Sequence, residues 1–232
     1  MRAWAWAIAL GMMVGCGPTP ARDFGEALFK DPLLSESQYN SFSCATCHAT
    51  SEKEAQEKMY TGLSLVGAAS RPNWWGGYEV RLIDAVNFCY TAFMRGTTPL
   101  ADEDPKSRAL YEYLVSLSPE STSPAQPFTL VRDVAEVPRG DANRGAEVYL
   151  AACQDCHGER STGTGRLTSL APVLPEVSRE YGQLFPNATP AMVFIEKVRH
   201  GRFFGVGGNM PPYSLEALSD EDLGALLSYL GL

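Results

Sequence analysis

A pattern of two cysteines followed by a histidine occurs twice in this chain of 232 residues. Residues 44–48 read Cys-Ala-Thr-Cys-His, and residues 153–157 read Cys-Gln-Asp-Cys-His. Two thiols at this spacing lie on one turn of a helix, where both can reach the same group. Because the pattern recurs in the same form, we expect two similar structural units, one around each copy.

A cysteine pair followed by a histidine is the signature of covalent haem attachment. The two thiols can form thioethers with the vinyl groups of one porphyrin, and the histidine then lies under the iron as its proximal ligand. A redox dithiol or half of a zinc site is the alternative for a single pair, but two copies favour two covalently bound haem c groups. The predicted haem-binding residues are Cys44, Cys47, His48, Cys153, Cys156 and His157.

The first residues have the pattern of an export signal. A positive charge at Arg2 precedes an apolar run from Ala3 to Val14, which is shorter than the roughly 20 residues of a membrane-spanning helix. Residues 13–16, Met-Val-Gly-Cys, resemble a bacterial lipobox. This resemblance implies lipidation of Cys16 and a periplasmic protein anchored to the outer membrane. A cleaved signal that happens to contain a cysteine is the alternative.

Charge and cysteine content limit the classes of partner. The net charge is −8, and no cluster of Lys and Arg could follow a phosphate backbone, so nucleic acid is not an expected partner. Cysteines of exported proteins are normally paired in disulfides. Of the six cysteines in this chain, however, four belong to the repeated pattern, and only Cys16 and Cys89 stand outside it.

Residues 140–232 resemble the class I cytochrome c family. Residues 141–149 are similar to the family's N-terminal helix, with Asp141 as N-cap, and the cysteine-pair pattern follows directly. Ser219 opens a capping sequence before an apolar helix face. That face consists of Leu223, Leu226, Leu227 and Leu230. The resemblance implies an all-α fold in which the first and last helices pack across each other.

Residues 23–118 repeat this plan, and their last helix has the same apolar spacing. That spacing is formed by Leu110, Tyr113, Leu114 and Leu117. The opening at 25–35 is similar to the start of bacterial dihaem peroxidases, and the similarity fades after His48. The predicted organisation is a signal peptide at 1–15, a tether at 16–22, cytochrome c domains at 23–118 and 140–232, and a Pro-rich linker at 119–139.

Each iron needs a distal ligand besides its proximal histidine. Of the three histidines, only His200 remains, at a helix end where we expect it to face solvent or a haem propionate. Met210 lies in Gly-Gly-Asn-Met-Pro-Pro, and the family resemblance implies that such a loop supplies the distal methionine. The alternative for a methionine is flexible core filler. We predict Met210 as the distal ligand of the second haem.

The first haem has two candidate distal ligands. Aligning Tyr113 with Tyr229 places Met94 on Met210, which favours Met94. Residues 82–96 instead resemble the segment of dihaem thiosulfate dehydrogenases that supplies a cysteine thiolate, which favours Cys89. The face expected to point towards the haem comprises Leu82, Val86, Cys89 and Phe93. A third interpretation is that Cys89 is only a small buried residue. The predicted metal ligands are His48, His157, Met210, and Cys89 or Met94.

The resemblances imply an exported dihaem cytochrome that passes electrons between periplasmic redox proteins. A thiolate lowers the potential of ferric haem and a methionine raises it, so electrons would flow from the first haem to the second. The alternative is a dihaem oxidoreductase acting on thiosulfate, a related sulfur compound or peroxide. The sequence shows no second acid–base constellation, and the downstream motifs of the peroxidases are not found, which favours the carrier.

Overall fold

The computed structural model describes residues 20–133, 136–203 and 210–232. The predicted signal peptide and Cys16 lie outside these ranges. Within them the chain is helical, as predicted, and the only β-pairing is an isolated bridge between Trp74 and Glu79. None of the described helices has the length and apolar character to cross a membrane. The α-helices are α1 (Ala21–Lys30), α2 (Cys44–Cys47), α3 (Glu52–Glu57), α4 (Leu82–Ala92), α5 (Pro105–Ser116), α6 (Ala142–Val148), α7 (Gln154–His157), α8 (Glu176–Leu184), α9 (Pro190–His200) and α10 (Asp220–Leu230).

Short irregular helical turns complete the fold. A π-helical turn, Tyr149–Cys153, joins α6 to α7, so the chain stays helical from Ala142 into the second cysteine pair. The 3-10 turns are Pro32–Ser35, Ala68–Ser70 and Trp75–Gly77.

A glycine contact fixes the crossing of the first and last helices in the first unit. A β-carbon at Gly25 of α1 would lie 1.9 Å from the carbonyl oxygen of Ala109 in α5. Only glycine therefore permits this approach of the two backbones. One turn later, the rings of Phe29 and Tyr113 pack with their centroids 5.2 Å apart.

The second unit has the same contact. A β-carbon at Gly145 of α6 would lie 2.1 Å from the carbonyl oxygen of Ala225 in α10. The rings of Tyr149 and Tyr229 pack one turn later, with centroids 5.6 Å apart. In both units the glycine and the aromatic residue on the first helix stand four positions apart. They pack against an alanine and a tyrosine that also stand four positions apart on the last helix.

A separate hydrophobic cluster surrounds each crossing. The first includes Phe29 and Leu110, and the second includes Val148. The predicted face of α10 is confirmed, since its four leucines are at most 1% exposed. The predicted helix starts are also confirmed, because Asp141 caps α6 and Ser219 caps α10 through their side chains.

The Pro-rich segment after α5 contacts both units without forming a helix in its described part. Towards the first unit, the amide of Ser123 donates to the carbonyl of Ser70 at 3.0 Å. Towards the second unit, the hydroxyl of Thr129 donates to Glu216 at 2.6 Å. Burial alone would raise the pKa of Glu216, but the hydrogen bonds from Thr129 lower it to about 2.

Candidate haem sites

The first cysteine pair lies on a short helix that ends at a fixed histidine. Helix α2 begins after Ser43, whose amide donates to the hydroxyl of Thr46 at 3.0 Å. The Nδ1 atom of His48 lies 2.8 Å from the carbonyl oxygen of Leu63. Because a carbonyl only accepts, Nδ1 must carry the proton, which leaves Nε2 unprotonated and available to a metal. Burial further lowers the pKa of His48 and favours this neutral ring.

Gly62 forms a close-fitting surface against this imidazole. A β-carbon at position 62 would lie 2.2 Å from Cε1 of His48. The amide of Gly62 donates to the carbonyl of Cys47 at 2.9 Å, and this hydrogen bond holds the loop around Gly62 next to the first cysteine pair. Any side chain at this position would displace the ring, so Gly62 fixes the position of His48, while the Leu63 carbonyl fixes its tautomer.

A large apolar pocket opens in front of His48. The empty space in the pocket, including open solvent at its mouth, is about 1320 Å³. The two thiols of the first pair and the His48 ring line the pocket together with side chains of α4 and α5. The apolar part of the lining includes Phe29, Leu34, Phe42, Leu82, Val86, Phe93, Leu110 and Leu114. Two thiols, one free imidazole nitrogen and a large apolar pocket fit a covalently attached haem.

Both candidate distal ligands of the first haem lie at this pocket. Cys89 lines it with Leu82, Val86 and Phe93, the four residues predicted to share one face. Burial, and secondarily the thiols of the first cysteine pair, raise the pKa of Cys89 above its usual range. Met94 also lines the pocket and is 4% exposed. The choice between the two thus stays a prediction.

The second cysteine pair repeats the arrangement of the first. Nδ1 of His157 lies 2.9 Å from the carbonyl oxygen of Pro172, so its Nε2 is likewise left free. In both sites the accepting carbonyl comes 15 residues after the histidine. The hydroxyl of Tyr149 donates to the carbonyl of Gly158 at 2.9 Å and fixes the chain next to the ring. These residues fit a second attached haem.

The thiols of both cysteine pairs lie in surroundings that raise their pKa values. Burial raises the pKa of Cys44 and of Cys153 to about 12. Reactive dithiols instead have lowered pKa values. Burial also raises the pKa of Cys47 to about 11, with a smaller contribution from the thiol of Cys156.

Met210 lies at the start of the described segment before α10. Its amide donates to the carbonyl of Gly201 at 3.2 Å, and its side chain packs against the second hydrophobic cluster. Gly201 has a φ of +71°, and a β-carbon there would lie 2.1 Å from the carbonyl oxygen of Met210. Residues 207–209 of the predicted ligand loop lie outside the described residues. Pro211 and Pro212 line the first pocket, so this segment contacts both sites.

His200 makes two hydrogen bonds that the sequence did not predict. Its Nδ1 lies 2.5 Å from the Glu196 carboxylate and its Nε2 lies 2.6 Å from the carbonyl oxygen of Val131. Burial would lower the pKa of His200, but these hydrogen bonds raise it overall. The ring therefore binds the Pro-rich segment, and its side chain is 31% exposed. Helical position alone did not reveal this partner, which is 69 residues away in the chain.

Comparisons with known proteins found a family match over the second unit and a similar solved structure over most of the chain. Residues 140–230 match the family model described as cytochrome c oxidase, cbb3-type, subunit III. No curated protein matches the chain significantly. One similar solved structure is thiosulfate dehydrogenase (TsdBA) from Marichromatium purpuratum in its as-isolated form, at 15% identity and a TM-score of 0.37. The match covers 90% of this chain and 45% of that one, so this chain spans less than half the length of that protein.

Proposed function

We propose that the whole chain is a dihaem electron-transfer protein of the cytochrome c type, and the family match over residues 140–230 supports this proposal. In this proposal residues 23–118 and 140–232 form two cytochrome c domains, joined by the Pro-rich linker at 119–139. The observation that carries the proposal is the repeated geometry of the two sites, in which each histidine donates Nδ1 to the carbonyl 15 residues later.

The chain's residues hold and tune the two groups. When bound, each haem supplies one-electron chemistry at its iron. The paired thiols would hold the porphyrin, and His48 and His157 would present Nε2 to the iron in one tautomer and orientation. The apolar lining of the first pocket would limit water around the iron and so influence its potential. Met210 would be the distal ligand of the second haem iron.

We propose that the electrons pass between redox proteins in the periplasm, with the chain attached to the outer membrane through a lipid at Cys16. The export pattern of residues 1–15 and the lipobox-like residues 13–16 support this location. The partners would dock transiently, since electron-transfer encounters have small interfaces.

The number of haems is tested by mass. Protein made in a host competent for haem ligation should carry two covalent haems. The double variant Cys44→Ala/Cys47→Ala should lose one, and Cys153→Ala/Cys156→Ala should lose the other, because a porphyrin needs thioethers from its own pair. Intact-protein mass and Soret absorbance measure both results. A wild-type mass equal to that of the bare polypeptide would overturn the proposal, and a single haem would overturn its dihaem form.

We propose Cys89 as the distal ligand of the first haem, with Met94 as the rival. Electron paramagnetic resonance of the oxidised protein should then show a thiolate-type low-spin haem beside a Met/His haem. Cys89→Ala should remove the thiolate signal and raise that haem's potential on the order of 0.1 V, within the ~0.8 V range that axial ligands span.

Met94→Leu is the matched control, because Met94 lines the same pocket as Cys89. Leucine has nearly the volume of methionine but no sulfur to bind iron. It should leave the thiolate signal in place. If Cys89→Ala leaves the spectrum unchanged while Met94→Leu alters it, Met94 is the ligand instead.

The oxidoreductase alternative is tested directly. The purified dihaem protein should show no turnover of thiosulfate or peroxide with an artificial electron partner, while it exchanges electrons with redox proteins. Sustained turnover of either substrate would show that the protein is an enzyme rather than an electron carrier.

A further inference from the structure

The first unit touches the second where the second cysteine pair begins. The amide of Met59 donates to the carbonyl of Ala151 at 3.1 Å. The ammonium of Lys58 binds the carboxylate of Asp155, with its Nζ 2.9 and 2.8 Å from the two oxygens. Asp155 lies between the two cysteines of the second pair. The segment after α3 therefore runs along the second haem attachment segment.

The helix of the second unit is irregular at this contact. It widens to a π turn over Tyr149–Cys153, where the amide of Gln154 donates to the carbonyl of Tyr149. Turns of this kind occur mostly as single bulges and frequently at functional sites. Here the carbonyls of Ala151 and Ala152 accept hydrogen bonds from outside the helix. The irregular turn coincides with the junction between the units.

One phenol connects three segments at this junction. The hydroxyl of Tyr213 lies 2.7 Å from the carbonyl oxygen of Ala152 and 3.1 Å from that of Met59. A phenol has one proton, so a carbonyl of each unit shares it. Tyr213 is 3% exposed, and burial raises its pKa well above the usual range, so the proton stays in place.

The backbone around Tyr213 belongs to the segment of the candidate distal methionine. The amide of Tyr213 donates to the carbonyl of Val198 at 2.8 Å. Pro211 and Pro212, between Met210 and Tyr213, line the first pocket. A shift of the phenol would therefore move the wall of the first site and the candidate ligand of the second.

We propose that the Tyr213 hydroxyl is a positioning group that locks the Met210 segment, the first unit's segment after α3 and the second haem attachment segment into one junction of fixed geometry. The inference rests on the proposed dihaem function and concerns how its two sites are coupled. Removing the hydroxyl should loosen the first unit's contact and change both haem environments, although Tyr213 lies in the second unit.

The test compares Tyr213→Phe with Tyr149→Phe in the dihaem protein. Both variants lose one buried phenol–carbonyl hydrogen bond of the second unit, but only Tyr213 reaches the first unit. In Tyr213→Phe, the amide of Met59 should exchange with solvent about three- to tenfold faster, as expected for the loss of one net hydrogen bond. The paramagnetically shifted proton resonances of both haems should move. In Tyr149→Phe, only those of the second haem should move.

The outcomes separate this inference from the proposed function. Unchanged Met59 exchange in Tyr213→Phe, or first-haem resonances that move equally in Tyr149→Phe, would overturn the role of Tyr213 while leaving two haems in place. Absence of covalent haem would overturn the proposed function. Faster exchange of the Met59 amide in Tyr213→Phe would even then show that the Tyr213 hydroxyl links the two units.

Discussion

Gly145→Ala should lower the free energy of unfolding of the second unit by about 3 kcal/mol, at the upper end of the range for overpacked cores. The added β-carbon would lie 2.1 Å from the carbonyl oxygen of Ala225 and 2.6 Å from its carbonyl carbon. These are backbone atoms of α10 and cannot rotate away, so the helices must separate. Separation exposes α10 leucines that are at most 1% exposed. Denaturant unfolding followed by circular dichroism measures the loss.

Helix propensity predicts the opposite sign, which makes the result diagnostic. Alanine favours a helix over glycine by about 1 kcal/mol. Asn143→Ala is the control, because it lies exposed on the same helix and should change stability by less than about 0.5 kcal/mol. A neutral or stabilising Gly145→Ala would contradict the helix crossing described above.

The equivalent change in the first unit is Gly25→Ala, where the β-carbon would lie 1.9 Å from the carbonyl oxygen of Ala109. We expect it to destabilise the first unit by a similar amount. The repeat of one glycine contact in both halves is thus testable by two substitutions made at equivalent positions.

Local features were predictable from the sequence because their causes are local. The leucine spacing of α10 and the caps at Asp141 and Ser219 depend on residues within one or two helical turns. Residues that line the first pocket from α4 follow in the same way from helical periodicity. The chemistry of each cysteine pair is equally local, since the bonds to haem need only adjacent side chains.

Contacts between backbone and distant side chains were not predictable. The carbonyls of Leu63 and Pro172 hold the two histidines, but a carbonyl is present at every position and leaves no mark in the sequence. The partner of His200 was missed for the same reason. A repeated 15-residue offset becomes visible only once both hydrogen bonds are known.

The choice between Cys89 and Met94 illustrates a different limit. Periodicity places Cys89 on the pocket side of α4, and alignment of the two units places Met94 on Met210. Both side chains line the same pocket. Which sulfur binds iron depends on small differences in reach and on the energy of the metal bond, and neither residue spacing nor burial encodes these.

Arg199→Leu should lower the free energy of unfolding by about 3–5 kcal/mol, because it leaves buried carbonyl acceptors without their donor. The Arg199 side chain is 1% exposed and binds the carboxylate of Asp220 at 2.7 Å. Its other terminal nitrogen donates to the carbonyls of Tyr213 and Ser214 at 3.3 Å and of Leu218 at 2.8 Å. The substitution leaves three acceptors of the segment before α10 without their donor, at a cost of about 1–3 kcal/mol for each buried group.

Arg179→Leu is the matched control, because this exposed arginine also donates to two carbonyls of the second unit, at 3.2 and 3.3 Å. Its loss should cost less than about 1 kcal/mol, since water replaces exposed hydrogen bonds. The two effects differ because Arg199 fixes the segment that follows Met210. In Arg199→Leu the absorption band of methionine-ligated ferric haem should therefore disappear on heating before the helices unfold, whereas in Arg179→Leu both should be lost together. Equal stability losses in the two variants, or a methionine band as heat-resistant in Arg199→Leu as in wild type, would show that the buried guanidinium does not hold this segment.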